Sequence, residues 1–345
     1  DFHRQSRKIM LPAFHRERIE AAHAIMTAET QQALDRLSAG TPFDLYRFTR
    51  ELALRIAMRA LFGLDPDRAR AGGINAAREF EQALGFWARD YLHQILRGPG
   101  SPWRRMVAAR RRLDALIFAE IDRRRAHREG GEDILTLLLE ATDEDGATLS
   151  KRHIRDEVMT LMFAGHDTTT STVAFLFHEL ARNPQLAEDP AFDLGPAIDE
   201  TLRLYPPAWI GPRRSIAPFA FGGRNLPGGV PVNYCSWASH RLPDVWPEPD
   251  AFRPERFAPG NRERISKGAY VPFGGGSRMC IGMRFGLAEV GVIAAAILER
   301  FRLELAPGYQ LQTRQMPTIG PKRGMPMVPR AAKGGPVVAE PALAA

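Results

Sequence analysis

Cys280 is carried on a glycine-rich run, Phe273-Gly-Gly-Gly-Ser-Arg-Met-Cys280-Ile-Gly282, to the start of an amphipathic helix read over Cys280–Phe301. A thiol in that position faces unpaired backbone N–H groups and the positive end of the helix dipole, which favour thiolate. Arg278 adds a fixed positive charge two residues earlier. Glycines let the backbone turn sharply and approach a flat ligand closely. The chain's other cysteine is Cys235, in a β-like run that reads as a buried free thiol. With no CxxC or HxxxH partner, Cys280 does not read as a zinc ligand. A single soft thiolate with room above it suits haem iron. A buried cysteine in a glycine-rich turn and a nucleophilic cysteine are the other two readings of this loop.

A second cluster is Ala164-Gly165-His166-Asp167-Thr168-Thr169, inside a long helical pattern. A mid-helix glycine costs about 1 kcal/mol against alanine, so Gly165 calls for a reason. A glycine followed by hydroxyl side chains would open a groove beside the helix. There the Thr168 hydroxyl can hold a water or bond to a carbonyl one turn earlier. Asp167 would supply a proton path; a plain polar helix face is the other reading. Glu200-Thr-Leu-Arg203 places opposite charges three apart on one helix face, by itself a commonplace pair.

The cysteine run resembles the Phe-x-x-Gly-x-Arg-x-Cys-x-Gly signature of haem-thiolate monooxygenases, the cytochrome P-450 family. Phe273, Gly276, Arg278, Cys280 and Gly282 match all five specified positions. The resemblance implies haem b (iron protoporphyrin IX) with Cys280 as its iron ligand, and Asp167 and Thr168 as the acid–alcohol pair beside the Gly165 groove. His166 is not taken as a second ligand. Glu200 and Arg203 resemble the family's Glu-x-x-Arg, and Pro254-Glu-Arg256-Phe257 the stretch that completes a structural triad through Arg256. For the haem propionates the resemblance offers Arg278, then His3 and Arg7 at the spacing of the family's Trp-x-x-x-Arg helix with histidine in place of tryptophan. Arg213, past the Pro206-Pro207 turn, is a further candidate.

The implied reaction inserts one atom of O2 into a C–H bond of an apolar small molecule such as a fatty acid, terpenoid or aromatic. Phe163, Trp209, Ile210 and the Met316–Ile319 turn are expected to line its pocket. Electrons would come from a separate ferredoxin- or flavodoxin-type protein or a reductase. The competing readings are a peroxide-driven haem enzyme, a haem carrier or sensor, and a truncated non-functional haem protein.

The elements that must position these residues read as helices over 1–140, broken at Gly40-Thr41-Pro42, Asp65-Pro66 and Gly98-Pro99-Gly100. An Arg-rich helix over Pro102–Arg128 is closed by Gly130-Gly131. A long helix runs from about Ser150 to Asn183, where Pro184 ends it, and a shorter one from Leu194 to Tyr205. Short β-like runs at Phe219–Phe221 and Val230–Tyr234 precede an irregular stretch that reaches Gly276. The expected fold is mainly α with a small β component: one domain over 1–330 and a disordered tail over 331–345. Phe2–Ile9 reads as the middle of a helix, so the family's opening part, and any N-terminal anchor in it, is expected to fall outside the sequence.

The 345 residues are 44% apolar and 25% charged, which excludes disorder throughout and supports a large core. The longest apolar run, Val290–Leu298, is far below the roughly 18 residues of a membrane span. A net charge of +7 arises from arginines interspersed with acids, a pattern of solvated faces rather than of nucleic-acid binding. Two cysteines rule out a disulfide framework and point to a reducing compartment. A cytoplasmic monomer is the resulting expectation.

Overall fold

The computed structural model describes residues 2–67, 76–84, 86, 94–127, 133–142, 146, 148–316 and 318–332. Its helices are α1 (Phe2–Met10), α2 (Arg16–Leu34), α3 (Leu45–Ile56, continued by a π-turn over Ala57–Leu61) and α4 (Ala76–Leu84). There follow α5 (Pro102–His127), α6 (Ile134–Glu140), α7 (Lys151–Arg182), α8 (Pro184–Glu188), α9 (Leu194–Leu204), α10 (Ser236–Ser239) and α11 (Met283–Arg300). The strands are β1 (Phe43–Asp44), β2 (Gly211–Arg214), β3 (Phe219–Phe221), β4 (Arg224–Leu226), β5 (Pro231–Tyr234), β6 (Phe301–Leu305), β7 (Thr313–Arg314), β8 (Gly320–Pro321) and β9 (Pro326–Ala331). The fold is mainly α with a small β component, as expected.

Helix α7 is the axis of the structure. The Ser150 hydroxyl caps it by accepting the His153 amide at 3.1 Å, and Asn183 ends it. Its 32 residues span about 48 Å and pack against α3, α9 and α11. Val173–Phe177 are at most 2% exposed, so this half is enclosed on every side. The inward-facing hydroxyls avoid desolvation by bonding up the helix, Thr170 to the His166 carbonyl (2.7 Å) and Thr172 to that of Thr168 (3.0 Å).

The Asp193 carboxylate caps α9 through the Gly195 amide (2.9 Å), and the helix ends two residues before Pro206. The last helix begins later than its apolar pattern suggests. Gly282 is the cap, so Cys280 stands on the loop ahead of it. β3 falls where alternation places it, and β5 begins one residue later than expected. The antiparallel sheet β1–β9–β6 was not foreseen. Phe301 and Leu303 are buried in β6, which continues from α11 without a break, so its alternation is hidden behind the helix's own apolar face. Gly130-Gly131 and residues 333–345 of the expected tail lie outside the described residues, while Ala331 still pairs in β9. Among the described residues no helix is long and apolar enough to cross a membrane.

Candidate active site

The cysteine loop is closed by its own backbone: the Cys280 amide donates to the Phe273 carbonyl at 2.9 Å. Gly274 and Gly276 have φ of +70° and +65°, the left-handed region, which leads the chain into the short 3₁₀ turn Gly276–Arg278. A side chain on Gly274 would also lie 2.9 Å from the Tyr234 hydroxyl, whereas Cβ atoms on Gly275 or Gly276 would meet no protein atom within 4 Å. Gly282 faces Phe14, whose ring meets Phe285 of α11 edge-on at 6.4 Å.

Cys280 lies on an exposed lip of this loop, yet protein surrounds its sulfur on most sides. Burial raises the thiol's pKa, and the Gly282 amide and the Arg7 charge only partly oppose it. That corrects the expectation of a thiolate made by the helix end and Arg278. A bound cation would deprotonate the sulfur outright. Cys235 is half-buried rather than buried.

Two arginines and a histidine are to be placed against the loop. Arg7 donates to the Met279 carbonyl at 2.7 Å. Burial lowers the pKa of His3, and the charges of Arg278 and Arg7 lower it further, so its ring is neutral at rest. Arg213 reaches the loop indirectly: its guanidinium lies 5.4 Å from the ring centre of Tyr234, the residue that touches Gly274. Among the described residues no group of three or more His, Cys, Asp or Glu is placed to hold a bare metal ion. A metal at Cys280 must therefore bring its other ligands with it. A macrocycle with anionic side groups fits this lone thiol and its adjacent cations.

On α7, Ala164 is exposed and Thr168 half-buried one turn later, and a Cβ on Gly165 would meet no protein atom within 4 Å. The Thr168 hydroxyl donates to the Ala164 carbonyl (2.8 Å), as the sequence suggests. His166 is fully buried. Asp167 is 2% exposed and turns toward α3 and the β7–β8 hairpin. Arg50 (2.5 Å), Arg314 (3.2 Å) and Tyr46 (3.3 Å) reach its Oδ1, and the Thr318 hydroxyl reaches Oδ2. Burial pushes its pKa up, but Arg50 and Arg314 outweigh that and hold it below the usual carboxylate value. At rest this residue is an ionised, clasped carboxylate rather than a free acid.

Glu200, Arg203 and Arg256 do come together. Arg203 pairs in two-pronged fashion with Glu200 (2.7 and 2.8 Å), and Arg256 lies 3.3 Å from the same carboxylate. Arg203 also donates to the carbonyls of His240, Pro249 and Ala251, and Arg256 to those of Pro247 and Glu248. The irregular stretch is thus tied to α9 through its main chain. His240 completes the link: its Nδ1–H donates to the Arg203 carbonyl (3.1 Å) while Nε2 accepts the Val271 amide (2.9 Å), two residues before Phe273. Burial lowers the His240 pKa to about 4, so the ring is neutral.

Sequence reasoning missed Tyr46, Arg50, Arg314 and His240, and read Thr318 only as part of the pocket-lining turn; their partners lie tens to more than a hundred positions away. It also passed over Glu289, which an acid among the apolar residues of α11 could have flagged. Glu289 is 2% exposed, accepts from Thr169 of α7 at 3.0 Å, and leaves its Oε1 without a partner. Of the expected pocket residues, Trp209 donates to the Gln315 carbonyl (2.7 Å) and the Ile319 amide to that of Pro207 (3.1 Å). The two segments are therefore joined. Phe163 and Ile210 are half-buried, Met316 is exposed, and Pro317 lies outside the described residues.

The family model for cytochrome P450 matches residues 1–189 and 194–328. The chain is similar to a cyclooctatin synthase of Streptomyces melanosporofaciens, 33% identical over 94% of this chain and 76% of that protein. It is equally similar to a cyclooctat-9-en-7-ol 5-monooxygenase of the same organism, 33% identical over 90% and 72%. A retinoic acid-bound cyanobacterial CYP120A1 superposes with a TM-score of 0.84 at 26% identity, covering 95% of this chain and 78% of that one. The haem domain of cytochrome P450DA does so at 0.81 and 27%, covering 95% and 77%. With a lone cysteine on a glycine loop, Arg7 bonded to that loop and free space beside Gly165 of the central helix, these likenesses settle the family: the chain belongs to the cytochrome P450 family and is a haem-dependent monooxygenase.

Proposed function

We propose that the chain, as a single domain over 1–330, binds haem b (iron protoporphyrin IX) and hydroxylates an apolar, hydrocarbon-rich molecule with O2. The observation that carries this is the reachable Cys280 thiol, with Arg7 bonded to the neighbouring Met279 carbonyl and Arg278 two residues ahead of it. Cys280 holds the iron, and the bound cofactor supplies the oxidising chemistry. All other work falls to the chain. Arg278, Arg7, His3 and Arg213 pair with the propionates, while Phe273, Gly276 and Gly282 shape the wall on the thiol side. Gly165 leaves the groove open. Thr168 Oγ1, now bonded to the Ala164 carbonyl, exchanges that bond for a water in the groove, and Asp167 hands protons toward it. Glu200, Arg203 and Arg256 hold the loop's foundation.

The apolar substrate is supported by Phe163 of α7 and by Trp209, Ile210, Met316 and Ile319 on the joined segments. It is supported also by the relatives' names, one acting on cyclooctat-9-en-7-ol and one structural neighbour holding retinoic acid. The net charge of +7 favours an acidic electron donor, a ferredoxin- or flavodoxin-type protein or a reductase, met by a cytoplasmic monomer.

The dithionite-reduced protein treated with carbon monoxide should show a strongly red-shifted Soret band. Cys280→Ala should lose that band while keeping the wild-type helical content. An unchanged spectrum in the variant would remove Cys280 as the ligand.

A further inference from the structure

Of the five tyrosines among the described residues, Tyr234 alone has a hydroxyl that donates to none of them. The hydroxyls of Tyr46, Tyr205, Tyr270 and Tyr309 go to Asp167 (3.3 Å), Glu179 (2.6 Å), Asp199 (2.8 Å) and the Gly324 carbonyl (2.9 Å). Yet the place of Tyr234 is closely defined. It stands opposite Gly211 in the antiparallel pair β2–β5, and a Cβ on Gly211 would fall inside its ring. Only glycine admits the ring there. The hydroxyl is carried on to the cysteine loop, 2.9 Å from the position of a Cβ on Gly274. Gly274 follows Phe273, whose carbonyl accepts the Cys280 amide at 2.9 Å. Arg213 lies two residues along β2 from Gly211, hence on the same face, with its guanidinium 5.4 Å from the Tyr234 ring centre. It spends one N–H on the Pro212 carbonyl (2.8 Å) and pairs with no carboxylate among the described residues. A phenol O–H and a guanidinium thus stand side by side at the loop without an acceptor from the chain.

We propose that Tyr234 is a further cofactor-binding residue, whose hydroxyl donates to a carboxylate of the bound porphyrin beside Arg213. This rests on the haem reading of the cysteine loop. An aromatic ring laid over a glycine across a strand pair is a packing device that needs the ring alone, and phenylalanine would serve. Packing therefore leaves the hydroxyl unexplained. A carboxylate suits both donors, because a bond to an ionised acceptor is stronger than one between neutral groups. The cation–π contact with the ring keeps the guanidinium next to the hydroxyl, so the two donors are presented as a pair.

The test follows haem transfer from the loaded protein to excess apomyoglobin, read by the Soret band. Tyr234→Phe keeps the ring over Gly211, so its helical content and its carbon monoxide band should match the wild type. It should nevertheless lose haem about three to ten times faster. Loaded instead with the dimethyl ester of iron protoporphyrin IX, which has no carboxylate, the two proteins should lose it at equal rates. Equal rates with haem itself, or a difference that persists with the ester, overturns the assignment. Where the ester is not taken up, the propionate bending band of the resonance Raman spectrum decides. That band should shift in Tyr234→Phe, and an unmoved band overturns the assignment. The wild type's carbon monoxide spectrum judges the haem-thiolate reading separately, since transfer is measured whatever the axial ligand. With its red-shifted band present and the transfer rates equal, only the role of Tyr234 fails.

Discussion

Glu200 and Asp167 are both buried carboxylates on helices, each clasped by two arginines, yet the arginines use their remaining N–H groups differently. Around Glu200 they go to main-chain carbonyls: Arg203 to His240, Pro249 and Ala251, Arg256 to Pro247 and Glu248. Around Asp167 they go mainly to side chains: Arg50 to the Tyr46 hydroxyl, and Arg314 to that hydroxyl and the Met316 carbonyl. A main-chain carbonyl cannot turn away without moving the backbone, so the first cluster staples a long irregular segment in place. A phenol and a threonine hydroxyl can rotate, so the second can reorganise within a fixed fold. Exposure separates them less: Arg203 is sealed at 0%, but Arg256 at 11% is close to Arg50 and Arg314 at 13% and 16%. The same pair of charges thus staples the main chain in one place and in the other is a catch that joins side chains of α3, α7 and the β7–β8 hairpin.

The sharpest way to break this comparison is to remove each carboxylate. Glu200→Ala strands Arg203 in a sealed site, and a loss of about 3–5 kcal/mol is expected, leaving little folded holoprotein. Asp167→Asn keeps two hydrogen-bonding atoms among partly wetted arginines and should cost only about 1–2 kcal/mol. Thermal melting of the two variants decides it. Equal losses would mean that both clusters are staples.

Acid should find the staple before the catch. The buried His240 has its pKa lowered from 6.5 to about 4, as has His178. Between those values the unfolded chain binds a proton that the folded ring refuses, so the histidines' contribution to stability is full above pH 6.5 and falls progressively toward pH 4. His240 alone accounts for at most about 3 kcal/mol of that fall. Asp167, whose pKa is depressed from 3.8, adds its loss only below that window. Melting temperature against pH should therefore decline from 6.5 downward, less steeply once His240 is replaced by glutamine. A curve flat to pH 4 would contradict the neutral, doubly bonded ring.

What the sequence disclosed follows the range of each interaction. Caps, helix periods and the cysteine run act over a few residues, so α7, α9 and the Phe273–Gly282 loop were legible almost to the residue. The Glu200–Arg203 pair was visible at three residues' spacing, and Arg256 through its own short run. The clasp on Asp167 was not, because Tyr46 and Arg314 lie 121 and 147 positions away in sequence. Nothing in their local sequence marks them among the chain's many arginines and tyrosines. The Cys280 thiol shows the opposite failure. It was read at the first residue of the helix as a thiolate, whereas it stands on the loop ahead of Gly282 and burial raises its pKa.

Glu289 supplies the control that neither cluster can, a buried carboxyl with no arginine at all. Burial pushes its pKa from 4.5 up to about 8, against only the Thr169 hydroxyl. Its pH dependence therefore has the opposite sign to that of the histidines. Above pH 4.5 the unfolded chain releases a proton that folded Glu289 keeps, so stability falls as pH rises toward 8. Glu289→Gln removes that linkage and keeps an acceptor for Thr169, while its amide nitrogen replaces Oε1, the atom that has no partner. The net gain should be small, about 1–2 kcal/mol at pH 8 and near zero at pH 5. Melting at the two pH values measures it. A gain equal at both would show that packing and not charge sets the effect. A loss at pH 8 would mean that Glu289 is ionised in the folded state, so that a buried carboxylate here can do without the arginines that both clusters employ.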